Sequence, residues 1–279
     1  MAQTNSFTVL FDYDSLIYKS VHKICSISDI RGWFKDGKTK AWMENEIVNL
    51  SLNRLSQMDT QIFQDIEDTG INIDAVEYFL TACYNSIRKK ESPIYKANRK
   101  KNKKNRWVNM VRKDLLKMDG FIVNEFWEAD DLIADRAVEL GEGNYIVCSP
   151  DKDLKQIPGI RFDYYRPILK NPDGTYPTDE NGFRIAQPCR GLDIMTKEEA
   201  NKFLAIQLLM GDSGDGVKGI PKIGEKKAAK IIEDVKPKDY RKTVLSEYVK
   251  YFGKDEGQKQ FDLHLLLLGL GIEHREFLT

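Results

Sequence analysis

The sequence predicts an α/β fold with a mostly parallel sheet flanked by helices. Three observations carry that expectation. Short apolar runs recur along the first half of the chain, segments of helical periodicity separate them, and acidic residues stand just beyond several of the runs. In such sheets, sites collect at the carboxyl ends of the strands.

The elements follow in order. Residues 7–11 (FTVLF) form a short apolar run ending at Asp12, the pattern of a buried parallel strand. Further strands are expected at 76–80, 121–123 and 145–148 (YIVC), with helices at 42–55, 108–118 and 130–140 between them. Residues 159–192 change character. Turn formers (Asn171-Pro172-Asp173-Gly174 and Asn181-Gly182) punctuate Tyr, Phe and Ile, which predicts a β-hairpin excursion. From Lys197 onward the pattern is helical to the end. The expected division is an α/β unit over 1–195 and a helical unit over 196–279, with a helix–hairpin–helix at about 203–235.

Composition narrows the classes. With 41% apolar residues the chain can bury a proper core. The first residues lack a signal-peptide pattern, and no apolar run reaches membrane-spanning length, so a cytoplasmic protein with no membrane partner is expected. The four cysteines are scattered, with no CxxC pair, and read as reduced thiols. Net charge is zero, but the charges are segregated. From Arg88 to Lys117 there are thirteen Lys/Arg against two acidic residues, set against an acidic remainder. A solvated helix face is one reading; thirty residues at this density look more like a phosphate-tracking surface.

Three acidic clusters fall at one end of the inferred sheet. Asp12 and Asp14 would share a face if the extended geometry continued. Asp151 and Asp153 repeat that arrangement after the fourth strand. Glu128, Asp130 and Asp131 stand where a helix should begin, its apolar stripe being Ala129, Ile133, Ala137 and Leu140. Singly, each group has a structural explanation, since acids favour a helix N-terminus and Asp is a common cap. Together they are costly. Two bare carboxylates about 4 Å apart repel by roughly 4 kcal/mol at an effective dielectric near 20, unless a cation sits among them. Oxygen-only ligands point to Mg²⁺ or Mn²⁺. None of the three histidines is near these acids in sequence, so metal-assisted hydrolysis is the reaction class that remains.

A fourth acidic group, Asp212 and Asp215, follows an apolar helix and runs into Gly219-Ile220-Pro221-Lys222-Ile223-Gly224. Two glycines bracket a tight apolar turn that opens a new helix. Backbone N–H groups there, with Lys226 and Lys227 nearby, would make a phosphate cradle indifferent to sequence.

These pieces resemble the flap-endonuclease/5′ nuclease family, in order from Phe7 to about Val235. The family's first-strand Asp matches Asp12, its E-x-D-D matches Glu128, Asp130 and Asp131, its S-x-D-x-D matches Asp151 and Asp153, and its G-D-x-x-D matches Asp212 and Asp215. Tyr95-Lys96-Ala97-Asn98-Arg99-Lys100 resembles the Y-K-x-N-R of the helical gateway. The wording is nearest to exonucleases of T7-like phages. One departure is clear: where the family has an Asp at the end of its second strand, this chain has Thr81-Ala82-Cys83.

The resemblance implies a PIN-like α/β domain with a basic helical arch at about 85–118 and a helical DNA-binding region after it. It implies two divalent ions on the eight acids named, with Lys96 and Arg99 at the scissile phosphate and Tyr95 beside a base. Lys100, Lys101, Lys103 and Lys104 of the arch, and Gly219, Ile220, Lys222, Gly224, Lys226 and Lys227 of the turn, would contact substrate, and a K⁺ would sit on the carbonyls of that turn. The implied activity is 5′→3′ exonuclease or 5′-flap cleavage by a monomer acting on DNA, with RNA–DNA hybrids as a further substrate. A PIN-type ribonuclease and a non-catalytic branched-DNA-binding protein are the alternatives. The first would lack the element at 212–229, and the second predicts eroded carboxylates.

Overall fold

The computed structural model describes residues 6–27, 30–82, 86–101, 105–178 and 185–271. Strand β1 (Ser6–Asp12) passes directly into α1 (Tyr13–Ile27), followed by α2 (Ile30–Lys35) and the long α3 (Lys40–Glu67). Next come β2 (Asn72–Phe79), α4 (Ile87–Glu91), a short 3₁₀ turn (Ala97–Lys101), α5 (Asn105–Leu115) and β3 (Phe121–Ile122). The α/β part closes with α6 (Ala129–Leu140), β4 (Tyr145–Cys148), β5 (Gly159–Asp163) and β6 (Gly191–Met195). The remainder is α7 (Lys197–Met210), the two-residue strands β7 (Gly211–Asp212) and β8 (Val217–Lys218), α8 (Glu225–Ile232), α9 (Tyr240–Phe252) and α10 (Lys254–Leu268).

The sheet order is β3-β2-β1-β4-β5-β6, parallel from β3 to β5, with β6 antiparallel at one edge. The central strands β1 and β4 are the most apolar because helices cover both their faces. Val9, Phe11, Ile146 and Cys148 pack with α1, α3 and α5 on one side. On the other, Leu10, Tyr145 and Val147 pack with α6, Leu154 and Leu270. This alternation follows from the two-residue period of the strand. A third core, built from α7 to α10, takes in Tyr95 from the α4–α5 connection. No described helix is long and apolar enough to cross a membrane.

The α/β expectation holds, with differences of physical origin. Strand β2 begins at Asn72 rather than residue 76, because its first half is partly exposed and carries no apolar run. The excursion after β5 returns as an antiparallel edge strand, with a bridge between Ile168 and Ala186; the Asn181-Gly182 turn lies outside the described residues. Asp14 does not continue the strand. Asp12 caps α1 by accepting from the Ser15 N–H at 3.2 Å, so the chain turns helical at Tyr13 and Asp14 leaves the face of Asp12. It meets Arg112 of α5 at 2.7 Å and accepts from the Thr81 N–H at 3.1 Å.

Candidate active site

Asp12 is buried at the carboxyl end of β1, between the hydroxyls of Ser15 (2.5 Å) and Ser149 (2.6 Å). Burial, and then the charge of Asp14, push its carboxyl up to about 6 against those two hydrogen bonds. One strand over, Ser149 also accepts the Asp151 N–H, and the Asp151 carboxylate accepts the Asp153 N–H, each at 3.0 Å. These local turns present the acids beyond the strand end. Asp153 is likewise raised to about 6, by burial and then by Asp151. Asp130, in the first turn of α6, is held well above the ordinary carboxylate range by burial and then by Asp12 and Asp151.

The other acids have cations. Glu128 is buried and receives Lys96 Nζ at 2.6 Å, the Tyr95 hydroxyl at 3.0 Å and Arg88 at 3.3 Å. Burial works against its charge, but Lys96 and Arg88 hold its carboxyl down at about 2. Asp212 accepts Lys152 Nζ at 2.6 Å and the Gly214 N–H at 2.7 Å, which outweigh its burial and lower its pKa. Asp215 pairs with Arg99 and lies 3.8 Å from Lys96. Glu128, Asp130, Asp153 and Asp215 line one recess with Lys96 and Gln207, whose amide donates to Asp153 at 2.8 Å.

The gateway segment is docked on the loop after β7. The Lys96 N–H donates to the Asp215 carbonyl at 2.8 Å, and the Asn98 amide reaches the carbonyls of Ser213 and Gly214. Lys96 itself adopts φ 53°, an uncommon conformation for a side-chain-bearing residue. Gly216 is required opposite it, since a Cβ there would come within 2.9 Å of the Ile94 carbonyl oxygen. Beyond, Gly211 and Gly219 cross so closely that a Cβ on either would overlap the other's backbone at little over 2 Å. That crossing sets α7 against the turn that opens α8, where Lys222, Gly224, Lys226 and Lys227 are exposed.

Several expected roles change. Asp131 is fully buried and shares Arg88 with Glu128. Arg88 grips both its oxygens, at 2.7 and 2.8 Å, so it is a structural partner rather than a free ligand. Arg88, counted with the exposed basic stretch, is itself buried. Tyr95 is not offered to a base: its ring is 3% exposed, in the core of α7–α10. Ile220 is buried with its N–H bonded to the Leu209 carbonyl, leaving neither side chain nor donor for a phosphate. The side chains of Lys100 and Lys101, and all of Cys83, Lys103 and Lys104, lie outside the described residues. Thr81, near the missing second-strand carboxylate, instead accepts the Ala129 N–H at 2.9 Å and so braces the start of α6. Sequence reasoning missed Ser149, Lys152 and Gln207. The Ser-Pro-Asp-Lys-Asp wording contains the first two, whereas Gln207 carries no local signal.

Among the described residues, no three His, Cys, Asp or Glu side chains converge into a ready-made ligand set as placed. The donor chemistry nonetheless fits a hard cation. The donors are all carboxylates, and Asp12, Asp130 and Asp153 are held above the ordinary range by burial and by neighbouring acids.

Parallel strands ending in acids, a basic gateway laid over them and a glycine-hinged helix pair beside them make this a PIN-like 5′-nuclease fold. Solved structures similar to it agree. A T5 5′-exonuclease with divalent zinc ions matches 94% of this chain and 86% of its own length, at TM-score 0.51 and 15% identity. A T5 protein co-crystallised with metal ions matches 94% and 89%, at TM-score 0.55 and 15% identity. In sequence, DNA polymerase I of Borreliella burgdorferi is 30% identical over 161 residues, and that of Rhizobium leguminosarum 32% over 117. These matches cover 55% and 40% of this chain but only 16% and 10% of those relatives. No family model matches the chain.

Proposed function

We propose that the chain is a divalent-metal-dependent 5′ nuclease that hydrolyses DNA phosphodiesters near 5′ ends, and more finely a phage-type 5′→3′ exonuclease working in DNA replication or degradation in a bacterial cytoplasm. One observation carries the reading. Carboxylates from β1, α6 and the β4–β5 loop lie near enough at one end of the sheet to raise one another's pKa, beside the cations of Lys96 and Arg99. Resemblance to T5 5′-exonuclease in fold, and to part of DNA polymerase I in sequence, supports it.

Asp12, Asp130, Asp151 and Asp153 would hold one divalent ion, and Asp212 and Asp215, freed from Lys152 and Arg99, would complete the site for a second. When bound, such ions activate water and neutralise charge on the phosphate. The chain's own groups do the rest. Glu128 keeps Lys96 charged and fixed, and Lys96 and Arg99 face the developing phosphate charge. The turn at 219–224, exposed at Pro221, Lys222 and Gly224, holds duplex with Lys226 and Lys227 without reading sequence. Its main-chain carbonyls are where a K⁺ would sit, each accepting more than one bond.

The test uses a 5′-flap duplex, a blunt duplex and a 5′-RNA hybrid, each 3′-end-labelled and incubated with Mg²⁺. The expected products carry 5′-phosphates and shorten from the 5′ side. Cleavage confined to internal RNA positions would support the ribonuclease reading instead.

A further inference from the structure

A second recess opens beside the acid loop, on the face of β5 that carries Arg161. Arg161 of β5 points onto this face, opposite Asp193 of β6. Pro150, Lys152 and Lys155 of the β4–β5 loop form one wall and Arg190 the other. The recess holds about 380 Å³, room for a phosphate with several waters at about 30 Å³ each.

Arg161 is the feature that calls for a ligand. It is only 3% exposed, yet among the described residues it has no carboxylate within ion-pairing distance. One terminal nitrogen donates to the Asp151 carbonyl at 3.0 Å, and its Nε has no hydrogen-bond partner. A buried charge with no carboxylate in direct contact is costly, and Asp193, Asp163 and Asp151 act on Arg161 only from beyond ion-pairing distance, whereas buried arginines are ordinarily paired. Lys155, half-buried on the same wall, forms no ion pair among the described residues either. Lys152 and Arg190 are tied to Asp212 (2.6 Å) and Asp163 (3.2 Å). Two acids, Asp163 and Asp193, line the recess against four cations, and with Asp212 set against Lys152 one positive charge is left over.

We propose that this recess binds a phosphate group, with Arg161 and Lys155 as its principal contacts and Lys152 and Arg190 at its rim. A planar guanidinium fork suits a phosphate's oxygens, and a lysine adds a point charge. Two sources offer that chemistry: a strand phosphate flanking the cut, or a free nucleoside 5′-monophosphate. The strand source rests on the 5′-nuclease reading; phosphate binding as such does not.

The experiment titrates isotope-labelled full-length chain, in EDTA and at low salt, with inorganic phosphate and then thymidine 5′-monophosphate. Amide signals of residues 151–155 and 190–193 should move, and Lys155→Glu should abolish the movement with its spectrum otherwise native. Arg161→Met is the second variant. Two further arms separate the sources. If a strand phosphate is bound, Lys155→Ala lowers the salt dependence of duplex binding by about one unit of slope. If a mononucleotide is bound, Lys155→Ala leaves that slope unchanged and relieves inhibition by thymidine 5′-monophosphate. Local signals that stay still at millimolar phosphate, together with an unchanged slope and unchanged inhibition, overturn the proposal. A chain that shifts with phosphate yet cuts no DNA would retain this site and lose the nuclease reading.

Discussion

Arg88 and Asp131, 43 residues apart, form a buried bidentate pair with both nitrogen–oxygen distances under 3 Å. The same guanidinium donates to the carbonyls of Leu266 (2.9 Å) and Gly269 (2.8 Å) and to Glu128 (3.3 Å). One side chain thus ties α4, the start of α6 and the end of α10 together, beneath the gateway. Its charge also suits the carbonyl end of α10.

Removing either member strands the other charge in the interior. Arg88→Met and Asp131→Asn should each cost about 3–5 kcal/mol of stability, read by denaturant unfolding. Arg88→Lys should recover little of it, because an ammonium cannot make the fork. Mg²⁺ affinity of Asp131→Asn, measured calorimetrically where the protein stays folded, should remain near that of the wild type. A selective loss of metal binding with stability intact would restore Asp131 to the ligand set.

Chemistry and binding should separate along the chain. Lys96→Ala, which removes a cation fixed by Glu128, should lower the single-turnover rate by roughly 10²–10³ with little change in duplex affinity. Replacing Lys226 and Lys227 by Ala should do the reverse, weakening unrelated duplexes alike and reducing the salt slope by about one to two units. Equal, small effects from both variants would reduce the gateway to an electrostatic funnel.

Much of this layout was legible in the sequence, and the gaps have physical causes. β1 and β4 stand out because both faces are covered, whereas β2 is half polar and reads short. Asp12 was found at its strand end, but the cap it forms with Ser15 turned Asp14 onto the α5 face, which the assumption of continued extension missed. Arg88 was counted by charge alone. Nothing local distinguishes a buried arginine from exposed neighbours when its partners lie 40 and more residues away. Tyr95 was misplaced for the same reason: the core that encloses it comes from α7 to α10.

Metal affinity should depend on pH in a defined sense. Asp12 and Asp153 are raised to about 6 in the folded chain, so ions must displace protons below that value. Mg²⁺ binding should weaken as pH falls through 6 and release protons there, seen as a buffer-dependent calorimetric heat. A heat independent of buffer at pH 6 would show that these acids are already ionised.

His264 should impose an acid limit on stability. It is buried, meets the Tyr248 hydroxyl at 2.7 Å, and burial lowers its pKa from 6.5 to about 4. Between those values the unfolded chain binds a proton that the folded chain does not, so stability is present above 6.5 and lost as pH falls towards 4. The loss is roughly 3 kcal/mol at about 1.4 per unit. Asp12 and Asp153, raised in the folded state, act in the opposite sense. The quantity to measure is therefore the difference in unfolding free energy between wild type and His264→Gln, which should shrink from pH 7 to pH 4. A constant difference would mean that the ring protonates normally.

The most direct test of a metal-dependent 5′ nuclease is the single-turnover cleavage of a 5′-flap duplex by metal-stripped protein. It is run in EDTA and after adding back Mg²⁺ or Mn²⁺, for wild type and Asp130→Asn. The arrangement of acids requires no product in EDTA, full recovery with either ion for the wild type, and loss of turnover with retained duplex binding for Asp130→Asn. Cleavage at the restored rate under rigorous chelation, or by Asp130→Asn, would contradict it.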